Sequence, residues 1–137
     1  MAIVTTYILY TNTQRLFQWS LGEKLRSISS AAALQFTPAD LDQIRAHDDW
    51  KKPIYRKAVL ALQQIRQHPN RVKYIYILRN TADPNEMEFV ADADSLYPDT
   101  PVDLNGDGKI DDSDALTYPG DPYDVKPFPE FQRLGFV

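Results

Sequence analysis

Twelve residues near the C-terminal end carry the clearest chemical pattern in the sequence. The segment DLNGDGKIDDSD, residues 103–114, places oxygen-bearing residues at regular intervals. Ca²⁺ binds roughly six to eight oxygens, and this spacing wraps oxygens around one point. Positions 1, 3, 5, 7, 9 and 12 of such a loop are the ligand positions, and they are held by Asp103, Asn105, Asp107, Lys109, Asp111 and Asp114. The sequence therefore predicts a calcium site of the EF-hand type.

Other features of the loop refine this prediction. Gly108 permits the sharp bend, Lys109 offers its backbone carbonyl, and Ile110 is expected to anchor the loop to the core. Asp114 is shorter than the usual glutamate, which argues against bidentate ligation and high affinity. The four aspartates at ligand positions repel one another unless a cation lies among them, so calcium is the expected cofactor. The alternative is an Asx- and Gly-rich surface turn without an ion.

Prolines on both sides limit what calcium can do. Pro98 and Pro101 precede the loop, and Tyr118-Pro119-Gly120 ends any exiting helix after about one turn. A calcium switch needs a helix on each side of the loop, so the sequence favours a brace over a switch. With aspartate last, the loop also resembles a dockerin repeat, although a dockerin carries two repeats and this chain has one.

Composition narrows the class of protein. The chain has 137 residues, 43% hydrophobic and 25% charged, which fits one globular domain with a core. A net charge of −4 disfavours nucleic acid as a partner, and the absence of cysteine excludes disulfides and thiol chemistry. His47 and His68 are read as helix-boundary residues, and the glycines form no phosphate-binding run. We expect no catalytic site and no enzymatic activity.

Apolar spacing predicts three helices. A long helix spans about 11–34, with apolar residues at steps of three and four. A short helix runs from Pro38 to about Ala46, capped by Thr37 with Asp40 reaching back to the cap amide. A third runs from Lys52 to Gln67. The apolar run 2–10 has two open interpretations: an ordinary helix start, or the outer end of a membrane anchor.

Two strands follow the helices. Residues 72–78 and 86–93 are rich in β-branched and aromatic residues and flank a turn signal, so they predict an antiparallel hairpin. After Asp94 the sequence becomes proline-rich and irregular, with one short helix expected within 129–137. Tyrosines, an arginine and aspartates at the strand ends suit a pocket for a small zwitterion or acid. The alternative is half-buried sheet tyrosines beside solvated charges.

The segments SISSAAALQFTPADLDQI, YRKAVLALQQIRQHPNRVKYIYILRN, EMEFVADAD and PGDPYDVKPFPEF together resemble the extracytoplasmic PAS-like (Cache) sensor domains of bacterial membrane receptors. The resemblance implies an α+β fold in which residues 1–35 form a long helix continuing a membrane anchor. Residues 36–137 would be the sensor domain, C-terminally incomplete, since the family continues into further strands, a second membrane helix and an output domain. The sheet would therefore be an incomplete PAS-like sheet.

The same resemblance implies a ligand site, a location and partners. By position, the ligand-binding residues are Tyr76, Arg79, Asp92 and Tyr123. The ligand would be a small molecule such as an amino acid or organic acid, and the parent protein would be tethered to the membrane and dimerise through the N-terminal helix. The rival hypothesis is a calcium-stabilised, dockerin-like protein-interaction module without small-ligand sensing.

Overall fold

The computed structural model describes residues 34–67 and 72–129. Its contacts divide the chain into two units, Met1–Gln35 and Phe36–Val137, and all of the described helices and strands belong to the second unit. Apart from residues 34 and 129, the helices predicted over 11–34 and within 129–137 lie outside the described residues. The described helices and a three-stranded antiparallel sheet confirm the α+β class.

The first described helix, α1, spans Pro38–Asp42 and begins with the predicted cap. The Thr37 hydroxyl accepts from the Asp40 amide at 3.1 Å, and the Asp40 carboxylate accepts from the Thr37 amide at 3.0 Å. These reciprocal bonds satisfy amides that the first turn of a helix leaves without partners. The helix stops at Asp42, earlier than the predicted end near Ala46.

A side chain from the following turn accounts for the early end of α1. The Asp49 carboxylate accepts from the amides of Arg45 and Ala46 at 2.7 and 2.9 Å, which turns the backbone away from the helix. The Lys52 ammonium lies 2.8 Å from the same carboxylate. The bond from Lys52 and the two amide bonds hold the pKa of Asp49 at about 2. The chain then forms a 3-10 helix, η1, over His47–Lys51.

The main helix, α2, spans Pro53–Gln67 and supplies one wall of the core. Tyr55, Val59 and Leu62, three of the four residues of the predicted apolar stripe, are buried, and Ile65 is half-buried. Spacing of three and four places them on one face of the helix. Among residues 34–67 and 72–129, no helix combines the length and the apolar character needed to cross a membrane.

The sheet has three antiparallel strands in the order β1-β2-β3. Strand β1 spans Tyr76–Asn80, so it begins and ends later than the predicted 72–78, and β2 spans Glu86–Asp92. The predicted hairpin is confirmed. The third strand, β3, spans Pro122–Asp124 and was not predicted, because three residues that begin with proline give no strand signal.

A β-bulge fits β2 to the core. The pairing shifts between Ile77 and Leu78, so that Ile77 faces Ala91, Leu78 faces Phe89, and Val90 is the extra residue. Such a bulge places two successive side chains on the same side of a sheet. Val90 and Ala91 are both almost fully buried and belong to one hydrophobic cluster with α2.

Residues 94–121 are irregular except for a 3-10 turn, η2, over Asp112–Asp114. This segment is attached to the rest of the fold at several points. The Thr117 amide donates to the Ser95 hydroxyl at 3.0 Å, and the Gly120 amide donates to the Phe89 carbonyl at 2.8 Å. The Tyr118 ring stacks on His47, with 3.9 Å between centroids. The irregular segment is thus packed against both η1 and the sheet.

Gly120 provides a test of this packing. Its φ is +87°, and a Cβ there would lie 2.7 Å from the Arg45 carbonyl oxygen. Gly108 has a similar φ of +84° but nothing within 4 Å of its Cβ position, so Gly108→Ala is a matched control for backbone strain alone. We expect Gly108→Ala to lower the free energy of unfolding by about 1 kcal/mol. Gly120→Ala should lower it by about 3 kcal/mol, because backbone must also move.

Urea denaturation in calcium-free buffer measures both losses. Equal losses in the two variants would contradict the close approach of Gly120 to the α1–η1 connection.

Candidate functional site

The loop 103–114 begins with a carboxylate that holds two turns together. The two carboxylate oxygens of Asp103 accept from the amides of Gly106 and Gly108, at 2.6 and 2.8 Å. Both glycines have positive φ, +75° and +84°, a conformation that costs other residues energy. Their backbone shape lets the chain curl around the Asp103 carboxylate, as the predicted bend at Gly108 requires.

The next ligand positions repeat one local turn. The Asn105 side-chain oxygen accepts from the Asp107 amide at 2.8 Å, and the Asp107 carboxylate accepts from the Lys109 amide at 2.8 Å. The Asp111 carboxylate accepts from the amide and hydroxyl of Ser113 at 2.9 and 2.7 Å, and these bonds lower the pKa of Asp111. Each side chain bonds the amide two residues on, which is the Asx-turn geometry.

Asp114 closes the loop. Its side chain is almost fully buried, with 4% of the residue exposed. One carboxylate oxygen accepts from the amides of Leu104 and Asn105 at 2.9 and 3.2 Å, and the other accepts from the Asp111 amide at 3.1 Å. Because these amides lie at the start and near the end of the loop, Asp114 joins its two ends.

The oxygens at the predicted ligand positions are of the type that a hard cation such as Ca²⁺ binds. The predicted ligand positions supply oxygens alone. The bonded side-chain oxygens of Asp103, Asn105 and Asp107 each accept one amide bond, which leaves a lone pair, whereas one oxygen of Asp111 and one of Asp114 each accept two bonds. In the described ranges, no group of three or more histidine, cysteine, aspartate and glutamate side chains is arranged to hold a metal ion. The four aspartates at ligand positions belong to that set, whereas two predicted ligands fall outside it, since Asn105 would bind through an amide oxygen and Lys109 through its carbonyl. The calcium site therefore stays a prediction.

One prediction about the loop is wrong. Ile110, expected to anchor the loop to the core, is 59% exposed. Val102 and Leu104 are also exposed, each at 42%. The loop is held through its polar bonds and through Asp114, so its apolar side chains are left facing outward.

Two of the four predicted ligand residues meet on the sheet. The hydroxyls of Tyr76 and Tyr123 lie 3.3 Å apart. Their rings pack with Phe89, with centroids 5.5 to 5.8 Å apart, and Phe128 stacks on Tyr123. We call these four residues the aromatic cluster. Burial and the bond to Tyr123 raise the pKa of Tyr76 to about 12, so its hydroxyl remains a neutral hydrogen-bonding group at neutral pH.

Asp92 lies beside the aromatic cluster, since it pairs with Tyr76 across the sheet. Its carboxylate accepts from the Asp94 amide at 3.0 Å and from the Thr117 hydroxyl at 3.3 Å. Burial raises the pKa of Asp92. Asp92 therefore lies at the edge of the aromatic cluster and also attaches the segment that follows the loop 103–114.

Arg79 contacts a different part of the fold. Its guanidinium donates to Glu88 at 2.8 Å and to the carbonyls of Leu41 and Ile44 at 2.6 and 3.0 Å. The Arg79 side chain is only 17% exposed. These bonds engage the Arg79 guanidinium and connect strand β1 to the end of α1. The guanidinium is thus directed at α1 and Glu88, and not at Tyr76 or Tyr123.

Several residues of this region carried no sequence-based prediction. Phe89 could have been found, because it alternates with Met87 on β2 and alternation marks one face of a strand. Ser95 and Thr117 could not, since they meet only through the fold. Of the two histidines, His47 opens η1 and stacks on Tyr118, whereas His68 lies outside the described residues.

Comparison with known proteins finds no relative of this chain. No protein-family model matches the chain, and searches of the curated proteins and of the solved structures find no similar protein.

The contacts of Arg79 generate a stability prediction. Arg79→Met keeps most of the aliphatic side chain but removes the donors to α1, so we expect the free energy of unfolding to fall by about 2 to 3 kcal/mol. Arg45→Met is the control, because Arg45 pairs with Asp42 in a bridge whose two side chains are each 58% exposed. That loss should stay below about 1 kcal/mol. If Arg79→Met unfolds like the parent in urea, the guanidinium is not structural and remains a candidate ligand group.

Proposed function

We propose that this chain is a calcium-braced, extracytoplasmic ligand-sensing domain of a bacterial membrane signalling protein, without catalytic activity of its own. The observation that carries the proposal is the loop 103–114, whose predicted ligand side chains all bond backbone amides of the same loop. The sensing role, the membrane tether and dimerisation through the N-terminal helix are supported by the sequence resemblance alone.

Calcium suits this loop for an electrostatic reason. Asp103, Asp107, Asp111 and Asp114 bring four carboxylates into twelve residues, and their mutual repulsion opposes a tight loop. A divalent cation among them replaces repulsion with attraction. The amide bonds already limit the freedom of these side chains, so binding an ion orders fewer rotamers and loses less entropy.

The ion would act on the segment that follows the loop. Thr117 lies three residues after Asp114, and its hydroxyl lies 3.1 Å from the Ser95 hydroxyl and 3.3 Å from the Asp92 carboxylate. Fixing Asp114 shortens the free chain between the loop and these attachments. Calcium would therefore hold the irregular half of the domain against the end of β2, which is a stabilising role and not a switch.

The aromatic cluster is the favoured place for a ligand. Tyr76 and Tyr123 offer hydroxyls, Phe89 and Phe128 offer apolar faces, and Asp92 adds a carboxylate. Small-molecule sites combine apolar surface with a few polar groups in this way. A carboxylate beside aromatic rings suits the ammonium end of an amino acid, through charge and cation–π attraction. Because Arg79 is bonded to α1, the carboxylate end of that ligand would need another partner.

A second candidate is a calcium-stabilised protein-interaction module. The outward-facing side chains of Val102, Leu104 and Ile110 favour it, because exposed apolar residues on one loop suit a protein partner. In this case calcium would hold the loop in a shape that presents Leu104 and Ile110.

The calcium site is tested by calorimetric titration. We expect one ion to bind, and Asp103→Asn and Asp107→Asn to weaken binding by about tenfold or more each, because each removes a charged ligand of a hard cation. Both substitutions keep the size of the side chain. Asp112→Asn is the matched control: it removes an equal charge from the same loop at position 10, which is not a ligand position. Equal affinity in all three variants would refute the assignment.

The two candidate functions are separated by what binds the calcium-loaded chain. A thermal-shift screen of amino acids and organic acids should raise the melting temperature for the sensed compound, and Tyr123→Ala should abolish that shift. An interaction module would instead bind a cohesin-type protein in a pull-down. The substitutions Leu104→Ser and Ile110→Ser would each abolish that binding. If the pull-down captures a protein partner and no small molecule raises the melting temperature, the second proposal replaces the first.

A further inference from the structure

The loop contains a peptide bond with an unusual chemical liability. Of the five asparagines in the sequence, only Asn105 is followed by glycine. Both Asn105 and Gly106 are exposed, and a Cβ at Gly106 would meet nothing within 4 Å. Because glycine has no side chain, its backbone nitrogen has unhindered access to the side-chain carbon of the preceding asparagine. Attack there leads to loss of the amide as ammonia.

Two contacts match requirements of that reaction, and a third holds the reacting side chain. The nitrogen that attacks, Gly106 N, donates its proton to the Asp103 carboxylate at 2.6 Å. The oxygen that gains charge, Asn105 Oδ1, accepts from the Asp107 amide at 2.8 Å. A proton acceptor and an oxyanion donor at these positions each lower the barrier to acyl transfer. The group that leaves, Asn105 Nδ2, donates to the Ser113 hydroxyl at 2.9 Å, and this bond holds the carboxamide in place.

We propose that Asn105 is a self-deamidation site, at which the folded loop converts its own asparagine to aspartate or isoaspartate. A bond forms between Gly106 N and Asn105 Cγ while the Asp103 carboxylate takes the amide proton of Gly106. The Cγ–Nδ2 bond then breaks, and ammonia leaves with a proton from water, while Asp103 returns its proton to water.

The cyclic imide that results is opened by one water molecule. Cleavage at one carbonyl gives aspartate at position 105, and cleavage at the other gives isoaspartate, which lengthens the backbone by one atom. Either product adds a negative charge to the loop. Isoaspartate would also move the amides that Asp103 and Asp114 hold. The reaction consumes water, releases ammonia and needs no metal.

The inference is tested by following mass and isoaspartate content at residue 105. The full chain is incubated at neutral pH with a chelator, either folded or unfolded in guanidinium chloride, and is sampled by peptide mapping. The unfolded chain reports the rate due to the Asn-Gly sequence alone. We expect the folded chain to react about tenfold faster or more, since the fold positions a proton acceptor and an oxyanion donor. A folded rate equal to or below the unfolded rate overturns the proposal.

Two variants assign the rate to the contacts. Asp103→Asn should slow the folded reaction by about tenfold or more, because it removes the proton acceptor. Ser113→Ala should also slow it, because the Asn105 carboxamide loses the hydroxyl that holds it in place. Asp112→Asn changes the same loop's charge without touching Asn105, and it should leave the rate unchanged. Circular dichroism confirms that each variant is folded. Ser113→Ala reacting at the parental rate would show that the loop geometry does not promote the chemistry.

Discussion

The irregular half of this domain depends on one buried polar residue. Ser95 is fully buried, and its carbonyl accepts from the Tyr55 hydroxyl at 2.6 Å while its own hydroxyl accepts from the Thr117 amide at 3.0 Å. Buried polar groups have to be satisfied, so the partners of Ser95 are fixed with it. Helix α2, the end of β2 and the segment that leaves the loop 103–114 therefore meet at a single residue. Burial raises the pKa of Tyr55, which keeps its hydroxyl a donor.

The loop itself is ordered by a different principle. Regular structure is held by bonds between backbone groups, whereas Asp103 and Asp114 bond backbone amides through side chains. This arrangement allows a compact turn without helix or strand, but it concentrates negative charge. The same carboxylate, Asp103, serves the proposed metal site and contacts the nitrogen of the vulnerable Gly106 peptide. A cation bound to Asp103 would stop its carboxylate from accepting the Gly106 amide proton. The proposed metal site and the proposed deamidation therefore need the same carboxylate.

Features set by local spacing were predictable, and features set by distant contacts were not. The cap at Thr37 and the stripe through Tyr55 depend on neighbours in sequence, as do the turns within residues 103–114, whose acceptor and amide are two to five residues apart. The end of α1 is held by Arg79, which is 38 residues from Leu41, and β3 depends on Met87 pairing with Tyr123. Ile110 was misplaced because the spacing of a loop does not say whether a core lies beside it.

The hydrogen bonds between the segments on either side of the loop have a consequence for protein engineering. Asp99 and Tyr118 are joined by a hydrogen bond of 2.7 Å between the Tyr118 hydroxyl and the Asp99 carboxylate, and Ser95 is joined to Thr117. Both bonds cross the base of the loop and use no residue inside it. We therefore expect the segment between them to accept new chain termini, a longer insert or a designed metal-binding sequence, because the sheet and α2 keep their own connections.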